Sequence, residues 1–169
     1  MKYRVIALDP GGITGWATYT AERIEDTEGK AEYYDEEWYQ GQLEGDDHHE
    51  RLYRLLELSR VEDYRIVCES FEFRNMDRRH RDNINLMSRE YIGVAKLYHQ
   101  TENVSLFMQG AGLAKGFIPD TGSQANKKLR DAGLWKSGWP HAMDATRHLL
   151  YYLVHREGRM DLVERWWKP

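Results

Sequence analysis

The sequence predicts an α/β protein built on a mixed sheet, and three features make that prediction. Strand-like segments follow one another up to Leu43; a short apolar strand then alternates with helical patterns as far as Met108; the chain closes on further helices. Strands first in hairpin order and then separated by helices give antiparallel and parallel pairs in one sheet.

Lys2 to Leu8 reads as a strand ending at Asp9, Pro10-Gly11-Gly12 supplies a tight turn, and Thr14 to Thr20 reads as the returning strand. Ala21 to Glu37 is so acidic that it reads as a loop or extended excursion, and Trp38 to Leu43 as a third strand. A helix is expected from Asp46, with Asp46 or Asp47 as its cap and Leu52, Leu55, Leu56 and Leu58 near helical spacing. Arg65 to Cys68 is a short buried strand ending at Glu69, and the lone Cys68 fits there as a small buried side chain. A helix from about Ile84 to Gln100 aligns Ile84, Met87, Tyr91, Ala95 and Tyr98, and Val104 to Met108 forms another strand. Gly110-Ala111-Gly112 breaks the pattern, Ser123 to Asp131 is a short helix, and Pro140 to Arg156 is a long one.

The 169 residues suit one domain, 1–169, and 41% hydrophobic with 31% charged residues is the composition of an ordinary globular protein. No run approaches the ~20 apolar residues of a membrane span, and the first residues lack a signal-peptide apolar region, so a cytoplasmic protein is expected. A net charge of −4 argues against a nucleic-acid partner until its distribution is considered. Acids crowd Glu22 to Glu50, leaving the remainder net basic, with Arg74, Arg78, Arg79 and Arg81 in one cluster and Lys115, Lys127, Lys128 and Arg130 in another. Either cluster could track a phosphate backbone or simply be a solvated surface.

Asp9 and Glu69 each stand at the carboxyl end of a predicted strand, where open sheets present reactive groups. His141 and Asp144 are three residues apart on the last long helix, so both project from one face. Taken singly, Asp9 is an ordinary turn residue, Glu69 a surface charge and His141 a helix-start residue. Asp144 resists this reading, because an acid between Ala142, Met143 and Ala145 needs a partner. Carboxylates brought together repel, and a divalent cation relieves them. Magnesium, or manganese in its place, bound by Asp9, Glu69, Asp144 and His141 would suit phosphodiester hydrolysis, with two ions about 3.5–4 Å apart serving the attacking and leaving oxygens.

Three segments carry a family resemblance. Ala7-Leu8-Asp9-Pro10-Gly11-Gly12-Ile13-Thr14-Gly15 resembles the first motif of the RuvC Holliday-junction resolvases; Val67-Cys68-Glu69 is similar to the second; His141-Ala142-Met143-Asp144-Ala145 resembles the last. The motifs fall in order along essentially the whole chain, and the compact phage-encoded branch is the nearest in pattern, through Ala114-Lys115-Gly116-Phe117 and Asp144-Ala145-Thr146-Arg147-His148. The resemblance implies an RNase H-like fold and a magnesium-dependent endonuclease acting on branched DNA in recombination, repair or replication. It implies Asp9, Glu69 and Asp144 as metal ligands, His141 as a ligand or water-positioning group, and Lys115 near the scissile phosphate. Some relatives carry a junction-probing aromatic three positions after the glutamate; Glu72 stands there, so Phe71 or Phe73 would take that role.

An actin-like ATPase is disfavoured, since it needs two such domains around a nucleotide. A module that binds branched DNA without cutting is disfavoured by the presence of all three carboxylates. A nuclease for flaps or RNA stays open, because one fold hosts many substrates. A homodimer is also expected, since two opposed nicks need two sites. Met87, Tyr91, Ile92, Val94 and Tyr98 on the Ile84–Gln100 helix are the expected interface.

Overall fold

A computed structural model describes residues 1–45, 47–70, 87–122 and 124–167. Its strands are β1 (Lys2–Asp9), β2 (Thr14–Glu25), β3 (Ala31–Leu43), β4 (Asp63–Ser70) and β5 (Ser105–Gly110). They form one sheet in the order β3-β2-β1-β4-β5, antiparallel from β3 to β1 and parallel from β1 to β5. The helices are α1 (His48–Leu58), α2 (Met87–Glu102), α3 (Ala111–Phe117), α4 (Lys127–Asp131), α5 (Pro140–His155) and α6 (Met160–Trp167).

The central strand β1 explains the layering. Alternate side chains on a strand point to opposite faces, and here both faces are covered, so the strand is an almost unbroken apolar run. Tyr3, Val5 and Ala7 pack with Ala17, Tyr19 and Val67 against Ala145, Leu149, Tyr152 and Leu153 of α5 and Leu162 of α6. Ile6 and Leu8 pack on the other face with Ile66, Cys68, Leu52 and Leu56 of α1 and Tyr91, Ala95 and Tyr98 of α2. The fully buried Cys68 matches its expected placement. A third cluster, with Ile118, Leu129, Ala142, Met143 and Leu150, joins α5 to α4 and the segment after α3.

Several expectations are corrected. The acidic stretch 21–37 is mostly sheet: Glu22 pairs with Tyr34, Arg23 with Tyr33 and Glu25 with Ala31 across a β2–β3 ribbon. Its turn is organised by Asp26, whose Oδ1 accepts from the Glu28 and Lys30 amides at 2.9 and 2.8 Å, and by Gly29 at φ +79°. On β3, Tyr33 and Trp38 pack on the core and Glu36 turns inward to Arg159, while Glu32, Asp35 and Glu37 face water, so charge density hid an alternating strand. Gly110 marks a true boundary, but α3 begins immediately after it. Of the expected 123–131 helix, residues 124–126 form a turn and Lys127–Asp131 the helix, because Asn126 is left-handed, φ +58°; Ser123 lies outside the described residues. Asp47 stands at the start of α1 without a side-chain cap bond; Asp46 and Ile84 lie outside the described residues. The tail forms the unforeseen α6.

The expected dimer face of α2 is also revised. Tyr91, Ile92 and Tyr98 are buried within this chain and Val94 packs against the same cluster, because α1 covers a second side of the helix. Met87, at 37% exposure, and Leu97, at 54%, are the large apolar residues that α2 still turns outward. No helix among the described residues is long and apolar enough to cross a membrane.

Candidate active site

Leu8 of β1 pairs with Cys68 of β4, so Asp9 and Glu69 follow at the same level on neighbouring parallel strands. Glu69 in turn pairs with Gln109 of β5. Three polar residues therefore line up across the carboxyl ends of β1, β4 and β5, where the main chain stops extending and leaves a crevice.

Helix α5 lies over this row and faces it with His141, Asp144 and His148. Its first turn is held by a close approach to β2. A Cβ on Gly15 would lie 1.9 Å from the His141 carbonyl oxygen and 2.8 Å from the Ala142 nitrogen, so only glycine lets α5 sit there. From β3, Gln42 Oε1 accepts from the His141 backbone N–H at 3.1 Å, and the Thr146 hydroxyl donates to Gln40 Oε1 at 2.8 Å.

Docked in this way, His141 Nδ1 lies 3.1 Å from Asp9 Oδ2. Burial raises the Asp9 pKa above the usual carboxylate range; the His141 hydrogen bond opposes this, and the nearby charges of Glu69 and Asp144 add to it. The same hydrogen bond raises His141. Glu69 shifts the other way. Burial acts to raise its pKa, but a hydrogen bond and the charge of His148, a hydrogen bond to Asp9 and the charge of Lys115 outweigh it. Two neighbouring carboxyl groups pushed apart in acidity are the mark of carboxylates crowded in a poorly hydrated crevice.

Asp144 is held by two cations. Arg147, buried one turn along α5, donates to its Oδ1, and Lys115 Nζ from α3 lies 3.2 Å from its Oδ2. Lys115 also pairs with Asp120 at 3.0 Å. Arg147 is fixed further by the Ile118 carbonyl at 3.1 Å and by Asn126 Oδ1.

Of the sequence-predicted residues, Asp9, Glu69, His141, Asp144 and Lys115 meet around one crevice. Lys127 pairs with Asp131 at 2.6 Å across one turn of α4, and Lys128 sits 4.2 Å from the Phe117 ring centroid and donates to the Phe117 carbonyl. Phe71, Phe73, Arg74, Arg78, Arg79 and Arg81 lie outside the described residues.

Sequence reasoning gave no role to His148 or Gln109. His148 Nε2 is 2.8 Å from Glu69 Oε2, and Gln109 Nε2 is 2.7 Å from His148 Nδ1. A signal was present: His141, Asp144 and His148 fall at i, i+3 and i+7, a polar stripe along one face of the helix.

The donor chemistry of Asp9, Glu69 and Asp144, hard oxygens with His141 beside them, fits magnesium or manganese. As arranged, the oxygens engage His141, His148, Arg147 and Lys115, and among the described residues no three such side chains enclose a common point.

No family model and no curated protein sequence matches this chain. Solved structures do. The chain superposes on Thermus thermophilus RuvC in complex with a Holliday junction substrate with a TM-score of 0.63 at 15% identity, over 92% of this chain and 96% of that one. This is an RNase H-like fold. A second Thermus thermophilus RuvC structure matches at a TM-score of 0.53 and 19% identity, over the same shares of both chains.

Proposed function

We propose that this protein is a metal-dependent endonuclease that hydrolyses phosphodiester bonds in branched DNA, with the four-way junction as its main substrate. The observation that carries the reading is the meeting of Asp9 and Glu69, on adjacent parallel strand ends, with His141, Asp144 and His148 from α5, on a fold shared with a RuvC solved on a junction.

Magnesium, or manganese in its place, held by Asp9, Glu69 and Asp144 with His141 as a further ligand or water-positioning group, would supply an activated water and neutralise charge at the phosphate. The remaining steps belong to the chain. His148 and Gln109 hold the Glu69 carboxylate in one orientation. Lys115 brings a positive charge beside Asp144, where a phosphate oxygen would gain most from it. Arg147, fixed by three partners, keeps Asp144 from turning away. Phosphate contacts along the basic residues of the chain would provide sequence-independent affinity.

Two opposed nicks need two such sites, and a homodimer would supply them on a two-fold substrate. The reading is tested with four-way junction, flap, linear duplex and RNA–DNA hybrid substrates, with and without magnesium. Magnesium-dependent paired nicks in the junction are expected; cleavage confined to the flap or the hybrid would reassign the substrate, and cleavage of none would remove the nuclease reading.

A further inference from the structure

Beside the carboxylates, the segment leading into α5 folds over the Asp144 end of the site and leaves a cavity of about 220 Å³. Asp144, Arg147 and Asn126 line it on one side, and Trp135, Lys136 and Trp139 on the other. Trp139 is the residue immediately before α5, and the Lys136 backbone N–H is 3.2 Å from Met143 Sδ, so the segment is tied to the helix that carries Asp144. Both indoles are only half-buried. Cations already lie on them: Lys136 Nζ is 3.8 Å from the Trp139 ring centroid, and the Arg130 guanidinium is 5.1 Å from that of Trp135.

We propose that this cavity receives the base of a nucleotide next to the scissile phosphate, unstacked from the branch point. The inference rests on the nuclease reading of the neighbouring carboxylates. Flat indoles that pack on the core yet keep part of the ring open to the cavity, beside a positive charge, match the two parts of a nucleotide, a π-face and a phosphate, and the Lys136 ammonium can leave the ring for the phosphate as the base stacks. Bases at a branch point have lost a stacking neighbour, which lowers the cost of drawing one out. Because Arg147 joins the cavity wall to Asp144, a base lodged there would fix the adjoining phosphate relative to the carboxylates.

The test uses the full chain with single-stranded tetranucleotides, one intact and one with a central abasic site, followed by the indole N–H resonances of Trp135 and Trp139. The intact tetramer should shift both resonances and bind about 5-fold or more tightly than the abasic one, the ratio that about 1 kcal/mol of stacking gives. Trp139→Ala should erase that ratio and Trp139→Phe keep part of it, while Lys136→Glu should weaken both ligands alike. Equal affinity of the wild type for both tetramers, or unmoved indole resonances, overturns the proposal. Junction cleavage is scored separately: normal cleavage without a base preference sinks the cavity alone, and a Trp139-dependent preference without cleavage sinks the nuclease alone.

Discussion

The buried imidazole of His148 lies with Nε2 2.8 Å from Glu69 Oε2, and Gln109 sets its tautomer from the opposite edge. The Gln109 amide nitrogen can only donate, so Nδ1 is the acceptor and Nε2 carries the proton toward the carboxylate. A half-buried glutamate is thereby aimed by a donor with almost no freedom of its own. His148→Ala removes the donor and leaves the Gln109 amide with only the His148 carbonyl, 3.3 Å away, and single-turnover junction cleavage should fall about 10–100-fold. His148→Gln, which restores an N–H of similar reach, should recover part of the loss. Wild-type rates in a stably folded His148→Ala would show that the bond is ornamental.

Asp144→Asn and Glu69→Gln should each abolish cleavage while leaving the fold and much of the DNA affinity in place. The first keeps the shape between Arg147 and Lys115 but loses the charge, and phosphate contacts elsewhere are untouched. Gel-shift affinity and circular dichroism measured beside the cleavage rate separate these effects. Removal of divalent ions with a chelator should reproduce the loss in the wild type.

His141 should matter less than the carboxylates, because water or another donor can stand in for a neutral imidazole. His141→Asp offers a hard oxygen and should retain more activity than His141→Ala. Equal and full activity in both would confine His141 to its hydrogen bond with Asp9.

Gly15→Ala tests the docking of α5. The new Cβ would overlap backbone atoms of His141 and Ala142, which cannot swing aside as a side-chain tip can. Either β2 or the start of α5 must move, at a cost of about 3 kcal/mol, and His141 moves with it. Chemical denaturation should register the loss of stability, and cleavage should fall by more than the unfolded fraction explains. Gly41→Ala, whose Cβ would meet the Trp16 ring, provides a comparison in which a side chain is the obstacle.

How far the sequence revealed this site depended on where its information lay. Asp9, Glu69, His141 and Asp144 were legible because each sits in a short contiguous pattern at a strand end or helix start. Gln109 and His148 were not singled out: their role arises from β5 lying beside β4 and from α5 crossing over both, which no local segment encodes. The same division holds for the fold. The apolar strands β1 and β4 were visible from composition, whereas the far half of the β2–β3 ribbon, with Glu22, Glu25, Glu32 and Glu36 on it, read as loop because its stabilising partners, Tyr3, Tyr19 and Arg159, are distant in the chain.

Arg159, only 3% exposed, joins the end of the chain to the β2–β3 ribbon. Its guanidinium lies 3.9 Å from the Tyr33 ring centroid and binds the Tyr19 hydroxyl, Glu36 and Asp161, tying α6 to the ribbon. For Glu36, burial acts to raise the pKa, but hydrogen bonds from Arg165 and Arg159 outweigh it and hold the carboxyl below its ordinary value; the Arg159 hydrogen bond likewise lowers Asp161. Groups with depressed folded-state pKa values stabilise the fold above the unfolded carboxylate range, and that stability is lost as the pH falls through their folded values. Arg159→Met at pH 7 strips a nearly buried Glu36 of one of its two cations and should cost about 3 kcal/mol, the lower end for a broken buried pair because Arg165 remains. Half-exposed Asp161 adds little to that figure. Melting temperatures taken from pH 7 down to pH 3 should fall for both proteins, with the gap between them narrowing as Glu36 protonates in the wild type. A gap independent of pH would mean that Arg159 acts through its stacking on Tyr33 rather than through its charge.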